Sequence, residues 1–373
     1  MGGGASPGYN AYPASPPAQV IHHAPAPIAA APPGMPLGTH TSQVGGFPTL
    51  VSYVPYVIGG TATVYPSPQF NPNQQAEILR RAMKGIGTDE KTVIHVMSSH
   101  STVQLQQITL AFKTIFGRDL MKDLKSELSG NFRKVVRARF RSLAEYDAAC
   151  LHKAMRGAGT DESCLIEILC TRSNPEIHMI RDAYYRKYNK DLERVIASET
   201  SFSFKRLLVS LVQGNRSENH SPDFHLAYSD AMELYRAGEG RWGTDESMFN
   251  KILCQRSFPQ LHATFAYYST VAKGSTIERA IEREFSGDIR RAMLTIVRSV
   301  CSRAAFFAEQ LHKSMKGIGT NDRTLIRIVV SRCEIDMGEI KAAYQALYNR
   351  SLASAIHSDT SGHYRQALLA LVK

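Results

Sequence analysis

The chain has 373 residues, with 44 Lys and Arg against 33 Asp and Glu, a formal net charge of +11. That length admits several small domains, and the basic balance favours anionic partners, phosphate-bearing membranes or nucleic acid, without choosing between them. Six cysteines (Cys150, Cys164, Cys170, Cys254, Cys301 and Cys333) form no CxxC pair and no His/Cys cluster with zinc spacing, so buried free thiols in a reducing compartment are expected.

In chain order, a long uncharged segment comes first. Glu77 is the first Lys, Arg, Asp or Glu of the chain, and most of the 17 prolines precede it. Richness in Gly, Pro, Ala and Tyr predicts a disordered tail over residues 1–72 with local polyproline character. Tyr9, Tyr12, Phe47, Tyr53, Tyr56, Tyr65 and Phe70 are scattered along it. Two readings fit, an uncharged spacer or an arm that binds partners or associates with itself. Residues 1–6 match the myristoylation pattern with Gly2 as acceptor, although Pro7 is an awkward neighbour for it. No secretory signal is visible, and the apolar passage around residues 48–60 is broken by Pro55 and too short to span a bilayer. Any membrane role is therefore expected to be peripheral.

Beyond Asn73 the pattern turns helical. Leu165, Ile166 and Leu169 recur at three- and four-residue spacing, as do Leu325, Ile326, Val329 and Val330, whereas strand-like alternation is scarce. The expected class is all-α, in four units over residues 74–143, 145–215, 228–301 and 304–373, with linkers near 142–145, 214–223 and 299–304. Each unit reads as about five short helices. The first helix ends at a glycine loop, the second starts at Thr-Asp-Glu with Thr as the cap, and the last closes on an apolar run such as LLVSLV or ALLALV.

The glycine loop is written four times: MKGIGTDE from Met83, MRGAGTDE from Met155, EGRWGTDE from Glu239 and MKGIGTND from Met315. Gly87, Gly159, Gly243 and Gly319 mark the period, with the interval between the second and third the longest. An acid follows each glycine at one constant distance in three units (Glu127, Glu199, Asp359) and one position further on in the third (Glu284). Glycine permits positive φ, so such a turn can aim several carbonyl oxygens at one point. Calcium takes about six to eight oxygens. Three carbonyls from Met83, Gly85 and Gly87 with a bidentate Glu127 supply about five, leaving room for water or lipid oxygens. Calcium binding and membrane binding would then be thermodynamically linked. The competing account is that the glycines close helix turns and the acids cap helices; four loops with matched carboxylates favour metal. No twelve-residue EF-hand run and no GxxxxGK[ST] phosphate loop is present.

On these loops, periods and distal acids, residues 77–373 resemble the four-repeat core of the annexin family. The resemblance implies a curved all-α disc with calcium loops on its convex face, docking reversibly on acidic phospholipids such as phosphatidylserine. It implies Ca2+ as the cofactor. The ligands it carries over are Met83, Gly85, Gly87 and Glu127 in the first unit, and Met155, Gly157, Gly159 and Glu199 in the second. In the third they are Gly238, Arg241, Gly243 and Glu284, and in the fourth Met315, Gly317, Gly319 and Asp359. Phe202 stands where a Gly often follows the second acid. Thr88 and Glu90 resemble an accessory calcium position, with helix capping an equal alternative. Lys84, Arg156, Arg241 and Lys316 flank the loops, placed to meet lipid phosphates. Trp242 at the third loop tip resembles the family's interfacial tryptophan if exposed; a core position is the alternative.

Arg172, Arg256 and Arg332 recur at one place in three units, with His100 in the first, and a helix-end structural role is expected. Asp147, Glu167, Arg172 and Arg327 match polar residues lining the family's central channel. A buried ion-pair network explains them without transport. The long tail resembles in layout the long-tailed annexins, which implies recruitment of calcium-responsive or trafficking partners, or vesicle aggregation and exocytosis. The expected location is cytoplasmic, reversibly on the cytosolic face of membranes, with self-association on membranes possible. An alternative is a scaffold whose tail tethers protein or ribonucleoprotein assemblies to membranes. No catalytic constellation stands apart from the repeat, so no enzymatic activity is expected, and nucleic-acid binding by the core has only charge in its favour.

Overall fold

The computed structural model describes residues 53–56 and 59–373. The myristoylation pattern and the tail aromatics Tyr9, Tyr12 and Phe47 lie outside those residues. The described residues form twenty α-helices and no strands, five helices to a repeat. Repeat one contains α1 (Pro72–Ala82), α2 (Glu90–Ser99), α3 (Thr102–Phe116), α4 (Leu120–Glu127) and α5 (Gly130–Arg139). Repeat two contains α6 (Leu143–Ala154), α7 (Glu162–Thr171), α8 (Asn174–Tyr188), α9 (Leu192–Glu199) and α10 (Phe202–Val212). Repeat three contains α11 (Phe224–Ala237), α12 (Glu246–Gln255), α13 (Phe258–Val271), α14 (Ile277–Glu284) and α15 (Gly287–Cys301). Repeat four contains α16 (Arg303–Met315), α17 (Asp322–Arg332), α18 (Met337–Tyr348), α19 (Leu352–Asp359) and α20 (Gly362–Leu371).

Local chemistry sets the boundaries. Ser101, Ser173 and Ser257 precede the third helices of their repeats, and Ser101 with Gln104 forms a full capping box. The first two of those helices stop where a residue turns left-handed: Gly117 at φ 63° after α3 and Asn189 at φ 50° after α8. In every repeat the first helix lies against the third. Their apolar stripes account for the core: Leu79, Leu105, Ile108 and Phe112 are fully buried. Each such side chain contributes about 1.5–3 kcal/mol.

The buried side chains form two cores rather than four. One joins repeats two and three, the other repeats one and four. Between them stands an ion pair, Arg327 to Glu167 at 2.6 Å, both nearly inaccessible. Burial works to lower the Arg327 pKa, but the charge and hydrogen bonds of Glu167, with the nearby Cys164 and Cys150, together outweigh it and hold the pKa well above the ordinary value. Arg172, at the C-cap of α7, donates to Asp147 at 2.8 Å, again buried.

The recurring arginines are helix-end ties. Arg256 pairs with Asp230 at 2.7 Å and Arg332 with Asp336 at 2.6 Å. In repeat one the tie comes from another helix: Arg139 of α5 donates to the His100 carbonyl at 2.7 Å and pairs with Glu334 at 2.6 Å. Cys164, Cys170, Cys254 and Cys333 are buried free thiols; Cys150 is half-buried and Cys301, at the end of α15, is exposed.

Residues 59–71, which lack of charge assigns to the disordered tail, pack on the repeats. The amide and hydroxyl of Thr61 donate to the Glu339 carboxylate at 2.7 and 2.8 Å, and the Thr63 amide donates to the Cys333 carbonyl at 2.8 Å. Val64 is buried, and Ser67 exchanges two hydrogen bonds with Gln104. Further up, Tyr53 meets Phe224 edge-on at 5.3 Å and Tyr56 accepts from Arg303 at 2.8 Å. Small and β-branched residues let this stretch lie flat: a Cβ on Gly60 would sit 2.4 Å from Asp336 Cβ. Composition missed it because an uncharged segment can be a strap as well as a spacer. The first and third linkers are likewise shorter than expected, since α6 already starts at Leu143 and α15 runs on to Cys301, whereas the second fills the gap between Val212 and Phe224.

Candidate metal sites

Each first helix runs into its glycine loop, and each loop is closed by the same backbone bond. Asp89 donates to Ala82, Asp161 to Ala154 and Asn321 to Ser314, at 2.9, 2.8 and 2.7 Å, each across seven positions. In repeat three Asp245 donates to Ala237 at 2.7 Å, across eight. The third loop therefore carries one extra residue before Gly243, while the longer reach from Gly243 to Glu284 arises beyond the loop, in the connection between α13 and α14. Gly85 and Gly87 hold φ of 111° and 87°. Gly157 and Gly159 repeat this pair at 118° and 88°, and Gly317 and Gly319 at 102° and 84°. An L side chain in such a conformation is strained. In the third loop only Gly243 is positive, at 74°, which is how Arg241 is tolerated where the others have glycine.

The second helices are not capped by threonine. Asp89, Asp161, Asp245 and Asn321 take that position, each accepting from backbone amides of the first turn. The threonine is instead turned toward the distal acid. Thr88 donates to Glu127 Oε2 at 3.0 Å, Thr320 to Asp359 Oδ2 at 2.5 Å, and Thr244 to Glu284 Oε2. In repeat two, Thr160 reaches only the backbone carbonyl of Glu199, at 3.4 Å.

All four acids end an eight-residue helix: Glu127 α4, Glu199 α9, Glu284 α14 and Asp359 α19. A carboxylate there faces the negative end of the helix dipole and unpaired carbonyls. The position costs stability unless a cation sits beside it. Gly238 lies against the third acid, since a Cβ on it would be 3.3 Å from Glu284 Cγ.

The loop ends meet in pairs. Glu90 at the start of α2 lies 3.8 Å from His363 of α20, joining repeats one and four, and Ser203 of α10 donates to Glu246 at the start of α12, joining repeats two and three. Lys84, Arg156, Arg241 and Lys316 are exposed, and Met83 and Met155 turn their side chains inward. Trp242 is 100% exposed at the tip of the third loop, and Ile86 and Ile318 are fully exposed at the same place in the first and fourth. Repeat two has Ala158 there. It has instead Phe202, 86% exposed, in a left-handed conformation (φ 50°) that Gly130, Gly287 and Gly362 occupy in the other repeats. The missing glycine was visible in the sequence; its exposed ring was not.

Among the described residues no three His, Cys, Asp or Glu side chains converge. The donors each loop offers are one carboxylate and main-chain carbonyls, an oxygen-only set that fits a hard divalent cation and not zinc or copper. Among the same residues no helix is long and apolar enough to cross a membrane.

Comparison with known proteins agrees with this architecture. The annexin family model matches residues 74–138, 146–211, 229–296 and 306–371. Annexin A7 of Macaca fascicularis is 51% identical over 314 residues, covering 84% of this chain and 64% of that protein. Annexin A11 of Homo sapiens is 50% identical over 317 residues, covering 85% and 63%. The chain thus spans less than two thirds of the length of these relatives. Among solved structures, annexin III superposes with a TM-score of 0.82 at 45% identity, covering 84% of this chain and 98% of that one. A calcium-bound annexin (Sm)1 superposes with a TM-score of 0.79 at 32% identity, covering 88% and 97%.

Proposed function

The chain belongs to the annexin family, known for calcium-dependent phospholipid binding, and on that premise we propose that its four loops are calcium sites that dock it on acidic phospholipid membranes. The observation that carries this reading is the fourfold pairing of a glycine loop with an acid at a helix C-terminus, where a cation is favoured. Carbonyls of Met83, Gly85 and Gly87 with Glu127 would hold one ion, and those of Met315, Gly317 and Gly319 with Asp359 another. Met155, Gly157, Gly159 and Glu199 serve in repeat two, and Gly238, Arg241, Gly243 and Glu284 in repeat three. Thr88 and Glu90 are the accessory position. Bound Ca2+ would join loop oxygens to lipid phosphate oxygens.

The loop residues do the rest. Lys84, Arg156, Arg241 and Lys316 add attraction to anionic headgroups. Ile86, Trp242 and Ile318 enter the interfacial zone, and Phe202 gives repeat two the exposed ring that Ala158 cannot supply. The headgroup preferred is phosphatidylserine, and the protein acts peripherally on the cytosolic face, in trafficking, vesicle aggregation or exocytosis, without enzymatic activity. The tail recruits partners or drives self-association on membranes.

Sedimentation with phosphatidylserine vesicles tests the membrane reading. The protein pellets with calcium and stays in the supernatant with chelator; equal pelleting in both sinks the proposal. Deleting residues 1–52 leaves pelleting intact and reduces vesicle clustering; unchanged clustering removes the tail role.

A further inference from the structure

A cavity of about 380 Å³ opens where α5, α6, α7 and α17 meet, among repeats one, two and four. Eight of its lining residues are Lys or Arg, and Asp161 is the only acid. Arg327 is committed to Glu167. None of the other seven forms an ion pair with a carboxylate of the described residues. Asp161 is itself engaged, accepting from the Cys164 amide as the cap of α7.

Part of this charge is a stripe: Arg133, Arg137 and Arg141 recur at every fourth position along α5 and just past its end. Side chains at that spacing share one helix face, and like charges there repel. Arg137 Nε is buried without a hydrogen-bond partner. Burial first, then repulsion from Arg141 and Arg133, holds Arg137 below its ordinary pKa. Across the cavity stand Lys153, Lys134 and Arg323. A pocket so arranged costs stability until an anion neutralises it.

We propose that this cavity binds a compact, multiply charged phosphate anion, and that it does so without calcium. Guanidinium groups match phosphate oxygens in forked, charge-assisted pairs, and converging uncompensated cations favour several charges over one. The volume lies at the small end of ligand pockets, which selects a compact group. No loop carbonyl position or distal acid lines the cavity. Asp161 and Arg323 neighbour the second and fourth loops, however, and Lys125 lies two residues before Glu127, so the cavity lies beside three of the four loop sites. Phosphates of a lipid headgroup and of a soluble polyphosphate share the required chemistry.

Titration calorimetry of the full chain with inorganic tripolyphosphate, in chelator, tests the site. One saturable binding event is expected, weakened at least about tenfold in R137Q/K153Q and by less than twofold in K251Q, on exposed α12 surface. The double variant relieves repulsion, so its melting temperature should not fall. Should it misfold, R323Q, an exposed change, is expected to weaken binding about threefold. Absence of saturable binding, or equal weakening by K251Q, overturns the proposal. Calcium-free pelleting with phosphatidylcholine vesicles carrying a bisphosphorylated phosphoinositide, competed by tripolyphosphate, identifies a lipid headgroup as the source. Tripolyphosphate binding without pelleting identifies a soluble anion.

Discussion

Phe202 shows what a single residue decides. Gly130, Gly287 and Gly362 begin the fifth helices at φ of 58°, 61° and 58°, and Phe202 is forced into the same region at 50°. A non-glycine there costs about 1–3 kcal/mol, and glycine returns part of that through unfolded-chain entropy. F202G should therefore raise unfolding stability by about 1 kcal/mol in urea denaturation, while calcium-dependent vesicle affinity falls. A destabilised F202G would mean that the ring packs in the folded state. The departure from glycine was legible in the sequence, but not its exposure, since burial depends on neighbours outside the loop. Threonine misled for a related reason. Thr88 and Asp89 are both good caps, and only the folded loop shows Asp89 at the cap and Thr88 on Glu127.

Among the elements, the fourth helices carry the calcium argument. Each ends on its acid, so neutralising that acid should have opposite effects with and without metal. In chelator E127Q should gain up to about 0.5 kcal/mol from relief at the helix end. In calcium it should lose most of the first site's share of the melting-temperature rise. Equal calcium-induced shifts in E127Q and the parent would remove Glu127 from the ligand set. The strap over residues 59–71 makes a pH prediction. Burial works to raise the Glu339 pKa, but hydrogen bonds from the Thr61 amide and hydroxyl outweigh it and leave it lowered. A lowered carboxyl pKa contributes stability above the ordinary value of 4.5 and loses it as pH falls through the folded value. Protection of the Thr61 and Thr63 amides from exchange should fall as pH drops below the ordinary carboxyl value of 4.5 in the parent, and should already be reduced at neutral pH in E339Q. Helices were legible from three- and four-residue periodicity. The strap was not, because hydrogen bonds from a chain without charge leave no compositional trace.

For the whole molecule, repeat order does not reveal which repeats share a core. The first repeat is completed by the fourth, at the far end of the chain, so the pairing rests on contacts that no local pattern encodes. Glu167 and Arg327 lie between the two cores, 160 positions apart. E167Q alone should cost about 3–5 kcal/mol, because it leaves a buried guanidinium uncompensated, whereas E167L/R327M should be near neutral. A small loss in E167Q on denaturant unfolding would show the pair to be hydrated. The sole tryptophan provides the most direct test that calcium brings the loops onto a membrane, because Trp242 stands fully exposed at a loop tip. With phosphatidylserine vesicles its emission should shift to the blue on adding calcium and return on adding chelator. Emission that stays at its aqueous wavelength with calcium and vesicles both present would contradict the account.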